Sequence, residues 1–180
     1  MATMYYRQML TPFNATIMTL TFTSIPVTPS PLRWLKVTGR IGCTGNGSYH
    51  SALTWKVGTG TGNYYSNAIR CFTGTSTAAD TTVLGSQSTA QAANAQNIGY
   101  GTGSTAAANN LGLFEMTIVI DASNSGYLNY SARGGFHDAA GSMHWFSDGA
   151  YAGPSGWTQL AFTSAAYFST NSWMLVEGFA

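Results

Sequence analysis

An all-β fold, a sandwich or barrel of many short strands, is what this sequence predicts, and three observations carry the prediction. Apolar and polar residues alternate with a period of two in one segment after another. Gly, Asn and Ser separate those segments, as turn residues do between strands. No segment carries a capped apolar stripe of period 3.6, the mark of an amphipathic helix.

Residues 1–12 (MATMYYRQMLTP) read as an irregular arm ending at Pro12. Alternation starts beyond it, where Met18, Leu20 and Phe22 interleave with Thr19, Thr21 and Thr23. The run Ile25-Pro26-Val27-Thr28-Pro29-Ser30-Pro31 is a connector, because each proline lacks a donor and restricts the residue before it. Leu35, Val37 and Ile41 then share one face, with Lys36, Thr38 and Arg40 on the other and Gly39 in the inward register, where something packs closely. Further strands are expected at Leu53–Val57, Ala68–Thr73, Glu115–Asp121, Tyr127–Arg133, His144–Phe146, Thr158–Thr163 and Trp173–Gly178. Residues 74–112 are rich in Thr, Ala, Gly, Asn and Gln; so long a loop suggests hidden weak strands at Thr81–Leu84 and Asn97–Tyr100, with one turn of helix at Ala90–Ala95.

The stretch Val57-Gly58-Thr59-Gly60-Thr61-Gly62-Asn63-Tyr64-Tyr65 looks like a phosphate loop, but poor helix formers follow Gly62 and no Lys-Ser or Lys-Thr pair is present. A glycine-rich turn between two strands, the tip of a hairpin, is the better reading, with Tyr64 or Tyr65 turned inward to close the core.

The 180 residues suffice for one domain with a full core, and aromatic residues supply 13% of them. Charged residues supply only 7%, against about a quarter in an ordinary soluble protein, and the net charge is +1. Seven scattered Lys and Arg residues make no dense phosphate-neutralising patch, so nucleic acid is excluded as the main partner. So neutral a surface repels itself weakly, which points to life in an assembly. No basic-then-apolar leader opens the chain and no apolar run nears the ~20 residues of a membrane span, so no membrane is expected. Cys43 and Cys71 lie in separate strand-like segments and read as two buried thiols, although neighbours across a sheet would also fit.

The richest polar cluster, with His137, Asp138, His144 and Asp148, matches no closed metal pattern and reads as strand ends and turns. Six carboxylates in all offer no facing pair for glycoside chemistry, and no Gly-x-Ser-x-Gly elbow is present, so no enzyme, metal or cofactor is expected. The aromatic residues Trp145, Phe146, Tyr151 and Trp157, set in glycine-rich surroundings, are the candidate partner anchors, either for protein or for sugar. In a regular strand only one of the adjacent pair Trp145 and Phe146 faces inward.

Several segments, in order along nearly the whole chain, resemble the stand-alone jelly-roll domains of tailed-bacteriophage virions. They are Leu20–Pro26, Leu32–Arg40, Thr61–Tyr64, Phe114–Asp121, Gly156-Trp157, Leu160–Ser164 and Phe168–Phe179. The family's Phe-Asn-Gly-Asp turn is replaced here by Val57-Gly58-Thr59-Gly60, and its Leu-Tyr-Gly-Ile ending by Leu175-Val176-Glu177-Gly178-Phe179. The resemblance implies a single jelly-roll β-sandwich over residues 13–180, with about eight to ten antiparallel strands. It further implies a virion protein that trimerises and binds the major capsid protein on the outer surface of the shell as cement or decoration. The alternative is a tail-tip or fibre domain that binds host glycan. Met4, Tyr5, Tyr6 and Met9 of the arm and the 74–112 span are then the candidate contacts.

Overall fold

The computed structural model describes residues 2–14, 16–27, 32–44, 50–59, 62–74, 80–85, 89–90, 96–103, 111–121, 125–138 and 141–180. These residues contain strands and turns and no helix. The strands in chain order are β1 (Met4–Leu10), β2 (Thr19–Phe22), β3 (Trp34–Ile41), β4 (Cys43–Thr44) and β5 (His50–Val57). Next come β6 (Asn63–Gly74), β7 (Asp80–Gly85), β8 (Thr89–Ala90), β9 (Gln96–Thr102) and β10 (Gly112–Ile120). The last are β11 (Tyr127–Asp138), β12 (Gly141–Ala152), β13 (Leu160–Ser164), β14 (Tyr167–Phe168) and β15 (Trp173–Phe179).

They form a large sheet ordered β1-β15-β3-β10-β11-β12-β6-β7, with β8 also on β6, a four-stranded sheet β2-β13-β5-β9, and a small β14-β4 pair. Every pairing between these strands is antiparallel. The strands outnumber the eight to ten expected, because β1 and the two-residue pieces β4, β8 and β14 add to the predicted set.

The period-two pattern decides which face each strand buries. On β10, Phe114, Met116, Ile118 and Ile120 are buried, while Leu113 and Val119 stand half exposed on the other face. The same logic puts Leu35, Val37 and Ile41 of β3 inward. The inner faces of the two main sheets meet through aromatic residues. Phe162 of β13 lies edge-on to Phe22 at 6.0 Å and to Phe114 at 5.9 Å. Trp55 of β5 reaches across to Tyr130 of β11 at 5.0 Å and to Tyr64 of β6 at 5.9 Å. Burying each such ring contributes on the order of 2 kcal/mol, so this two-sheet interface holds the sandwich together. Gly39, expected in the inward register, lets β15 approach: a Cβ there would lie 2.6 Å from the Trp173 carbonyl oxygen.

Several expectations are corrected. Residues 1–12 are no irregular arm: Met4–Leu10 is a strand paired with β15 along its length. Arg7 opposite Glu177 and Leu10 opposite Met174 supply the cross-strand contacts that the segment's composition did not advertise. The glycine-rich stretch after β5 joins no hairpin, because β5 belongs to the four-stranded sheet and β6 to the large one. Cys43 is buried on β4 and Cys71 exposed on β6; both are free thiols, so they neither pair nor share the core. Ala90 ends the short strand β8, which replaces the start of the expected helical turn at Ala90–Ala95; residues 91–95 lie outside the described residues. The weak strands at Thr81–Leu84 and Asn97–Tyr100 are present as parts of β7 and β9.

Candidate binding surfaces

Two surfaces collect the residues that the sequence singles out. The first is the outer face of the large sheet. Strand register carries one cross-strand row from edge to edge: Met9, Leu175, Thr38, Glu115, Arg133, Phe146, Ile69 and the position of Val83. Directly opposite side chains on one face touch, so the row is a physical stripe. Met9, Phe146 and Ile69 are 63%, 45% and 44% exposed. Between the apolar ends sits the Glu115–Arg133 pair, with Nη2 and Nε of Arg133 at 2.7 and 2.8 Å from the same carboxylate oxygen. The second row along from it on this face begins with Phe179 stacked on Trp34 at 4.3 Å and 17°, and continues through Val119 to the position of Tyr65. A shallow depression of about 360 Å³ lies between the rows, bounded by Lys36, Glu115, Thr117, Ser131, Arg133 and Phe146.

The second surface is a cleft of about 350 Å³ at one end of the sandwich. One wall is Val57-Gly58-Thr59 and the other Pro154–Gln159, with Tyr151 and Trp157 also lining it. None of its lining residues carries a charge. The walls are tied together: the Gly58 N–H donates to the Gln159 carbonyl at 2.9 Å, and the Gln159 side-chain amide donates to the Gly58 carbonyl at 3.0 Å. Gly58 has φ +56°, which a residue with a Cβ adopts only under strain. The Trp157 indole N–H donates to the Ser125 carbonyl at 2.6 Å, and the Gly156 N–H to the Ser125 hydroxyl at 3.0 Å.

Tyrosines beside this cleft are held neutral. Burial pushes the Tyr64 phenol up to about 12, opposed by the hydrogen bond its oxygen accepts from the Val57 N–H at 2.9 Å and raised further by Tyr151 beside it. The Tyr64 and Tyr151 rings are 5.0 Å apart. Burial also raises the Tyr151 phenol.

The predicted anchors divide sharply. Met4, Tyr5 and Met9 are exposed on β1, and Phe146 is exposed on β12. Tyr6 is half buried, the one proton of its hydroxyl shared between Gln8 Oε1 at 2.6 Å and the Thr23 carbonyl at 2.9 Å. Trp145, Tyr151 and Trp157 are corrected: they are 5%, 2% and 6% exposed and belong to the core, with only the edges of the last two reaching the cleft. Of the adjacent pair, Trp145 faces in and Phe146 out, as strand geometry requires. Sequence reading missed Ile69 and Leu113 as surface groups. The signal was available for Leu113, which falls in the outward register of a strand whose alternate residues are buried, whereas Ile69 is placed on this face by its register opposite Phe146.

The His and Asp cluster spreads along the β11–β12 hairpin. His137 is opposite Ser142, and His144 is opposite Gly135 and Cys71. His144 Nε2 lies 3.2 Å from the Ser142 hydroxyl. Asp148, four positions farther along the strand, stands about 13 Å from His144 at ~3.3 Å per residue. Among the described residues no three His, Cys, Asp or Glu side chains converge in a way that would hold a metal ion. Of the 74–112 span, strands β7, β8 and β9 fall within the sheets, and much of the remainder lies outside the described residues.

Compared with known protein families, with curated proteins and with solved structures, the chain matches none.

Proposed function

We propose that this chain is a structural protein of a tailed-bacteriophage virion, a jelly roll that trimerises and attaches to the outer surface of the capsid as cement or decoration, without carrying out a reaction. The observation that carries the reading is strand order. Number β2, β3, β5, β6, β7, β9, β10 and β13 one to eight in chain order. The four-stranded sheet then reads one, eight, three, six. The large sheet holds two beside seven and four beside five, with the β11–β12 hairpin inserted between seven and four. Alternation of this kind between two sheets is what paired Greek keys would give and so supports the jelly-roll reading, with β1 and β15 extending the large sheet outside that numbering. The sequence resemblance runs through β2, β3, β10 and β13 of these strands and the start of β6, and through β15 outside them.

The outer face of the large sheet supports attachment. It is broad, bears exposed apolar groups between short-range ion pairs, and offers little net charge. Attachment through such a face rests on apolar and hydrogen-bonded contact, so molar salt leaves it intact. The test is a copy count by quantitative mass spectrometry of purified particles, with a molar-salt wash. Hundreds of copies retained through the wash support the reading; a handful of copies, or release by salt, sinks it.

The uncharged cleft favours a second reading, a tail-tip or fibre domain holding a neutral glycan between Thr59, Ser155, Thr158 and Gln159. Quenching of tryptophan fluorescence by host cell-wall polysaccharide, abolished by Gln159→Ala, supports it over the first. Unchanged fluorescence at millimolar sugar rejects it.

A further inference from the structure

The large sheet ends in two open edges: β1 pairs with β15 alone, and β7 with β6 alone, among the described strands. An edge strand presents a row of unpaired backbone donors and acceptors, and monomeric proteins shield it with proline, lysine or shortness. β1 has seven residues and neither proline nor lysine. Its one charge, Arg7, is turned to Glu177 of the same chain at 3.5 Å. It carries Met4, Tyr5 and Met9 in exposed positions. Nor is it loose. The Thr23 N–H donates to Gln8 Oε1 at 3.1 Å, the Tyr6 hydroxyl donates to the Thr23 carbonyl, and the Ala180 N–H donates to the Thr3 carbonyl at 3.1 Å. Among the described residues nothing shields this edge, and these hydrogen bonds hold it in place.

We propose that β1 is the strand through which a second copy of this chain joins the large sheet, by antiparallel pairing with that copy's far edge, β7. Direction favours this partner. Neighbours alternate across the eight strands from β1 to β7, so the two edges run oppositely and β7 of one copy continues the antiparallel pattern beside β1 of the next. Charge favours it over the symmetrical β1-to-β1 pairing. Full overlap of two β1 strands sets Arg7 directly against its own copy, and like charges directly opposite destabilise a sheet. The positions of β7 on the same face are Thr81, Val83 and Gly85, placed opposite Cys71, Ile69 and Asn67, and they are uncharged. Joining two different edges head to tail is a heterologous contact, which forms a ring where the rotation from copy to copy closes and an open filament where it does not. A ring of three copies is the trimer of the proposed function, and to that extent the inference rests on that reading.

The test uses the full chain with Cys71→Ser and the pair Arg7→Cys and Val83→Cys, oxidised at micromolar concentration. Disulfide-linked species of two and three copies on a non-reducing gel are expected, and neither substitution alone should give them. Linked pairs from Arg7→Cys alone mean β1-to-β1 pairing and overturn the proposal; absence of any linkage from the double variant overturns it too. Sedimentation of Tyr5→Lys with Met9→Lys, both at exposed positions, gives a second readout. Association at least tenfold weaker with unchanged circular dichroism is expected. A trimer of undiminished affinity rejects this edge while leaving trimerisation standing. A wild-type chain that sediments as a monomer rejects the edge and the trimer together, and the copy count on particles then judges the virion reading separately.

Discussion

The indole of Trp145 lies against the backbone of Gly99 so closely that a Cβ on Gly99 would fall 2.4 Å from its ring carbons. Trp145 projects from β12 of the large sheet, Gly99 belongs to β9 of the four-stranded sheet, and the indole N–H donates to the carbonyl of Tyr100 at 3.2 Å. On its other flank, a Cβ on Gly134 would fall 2.4 Å from the same ring. Two glycines thus make the slot that seats one tryptophan between the sheets. Gly99→Ala should destabilise the fold by about 1–3 kcal/mol, the range for overpacking a filled core. Chemical denaturation checks this. Trp145→Leu in the same chain should recover part of the loss, because the clash disappears with the ring.

The glycine-rich stretch after β5 obeys a similar constraint. A Cβ on Gly62 would fall 2.2 Å from the Tyr151 ring, and Gly58 holds a left-handed conformation at φ +56°. Gly62→Ala should therefore cost more than Gly58→Ala, which is expected to lose about 1 kcal/mol. Thermal melts of the two variants decide. Equal effects would mean that Tyr151 moves aside, and in that case the end cleft should change shape as well.

Alkaline solution should unfold this protein earlier than its modest charge suggests. The Tyr64 phenol titrates near 10 when unfolded and about 12 in the fold, chiefly through burial. The folded state keeps its proton where the unfolded state has released it. Stability is therefore full below pH 10 and falls as the pH rises from about 10 to 12. The loss from Tyr64 alone reaches about 2–3 kcal/mol at the top of that window. Tyr6, also raised to about 12 by burial, adds in the same direction. Tyr64→Phe should flatten the alkaline limb while lowering stability at neutral pH by about 1–2 kcal/mol, since the buried Val57 N–H loses its acceptor. Urea titrations at pH 8, 10 and 11 measure both effects.

The all-β class was legible because period-two alternation is a local property: Phe114 to Ile120 reveals its buried face without knowledge of any partner. What Trp145 packs on was not legible, because Gly99 is 46 positions away and only sheet packing brings them together. The same gap explains the misread aromatic anchors. Trp145, Tyr151 and Trp157 sit among glycines, which suggested exposed loops. In the fold Gly153, two positions from Tyr151, and the distant Gly62, Gly99 and Gly134 make space for the buried Tyr151 and Trp145 rings. β1 escaped notice for a third reason. Its sequence, Met-Tyr-Tyr-Arg-Gln-Met-Leu, has no alternation, since an edge strand with one exposed face and one half-covered face exerts little pressure toward it.

The outward ion pair should matter little to stability. Arg133 and Glu115 stand opposite each other on β11 and β10 with much of both side chains in water. Exposed pairs of this kind contribute about 0–1 kcal/mol, so Arg133→Ala should shift the denaturation midpoint only slightly. Attachment to a partner is the more sensitive readout, because Arg133 borders the depression beside Phe146. If Arg133→Ala binds shells as wild type does while Phe146→Ala does not, the apolar groups carry the contact. The reverse outcome would assign it to charge and predict release by salt.

Gln8 controls how firmly the first strand is held. Its Oε1 accepts from both the Thr23 N–H and the Tyr6 hydroxyl, linking β1 in the large sheet to the residue that follows β2 in the smaller one. The next residue, Ser24, has φ +60°, a strained conformation for a side chain other than glycine, so the chain is forced into this corner rather than relaxed there. Gln8→Ala removes the shared acceptor, leaving the Thr23 N–H to find water and the Tyr6 hydroxyl with the Thr23 carbonyl alone. It should lower stability by about 1–2 kcal/mol and speed amide exchange in residues 4–10 at least tenfold, with β10 and β11 unchanged. Gln8→Glu keeps an acceptor at that position and should behave nearly as wild type at neutral pH. Exchange in β1 that is equally slow in both variants would mean that β15 alone holds the strand, and the corner contacts would then be passengers of the sheet rather than its anchor.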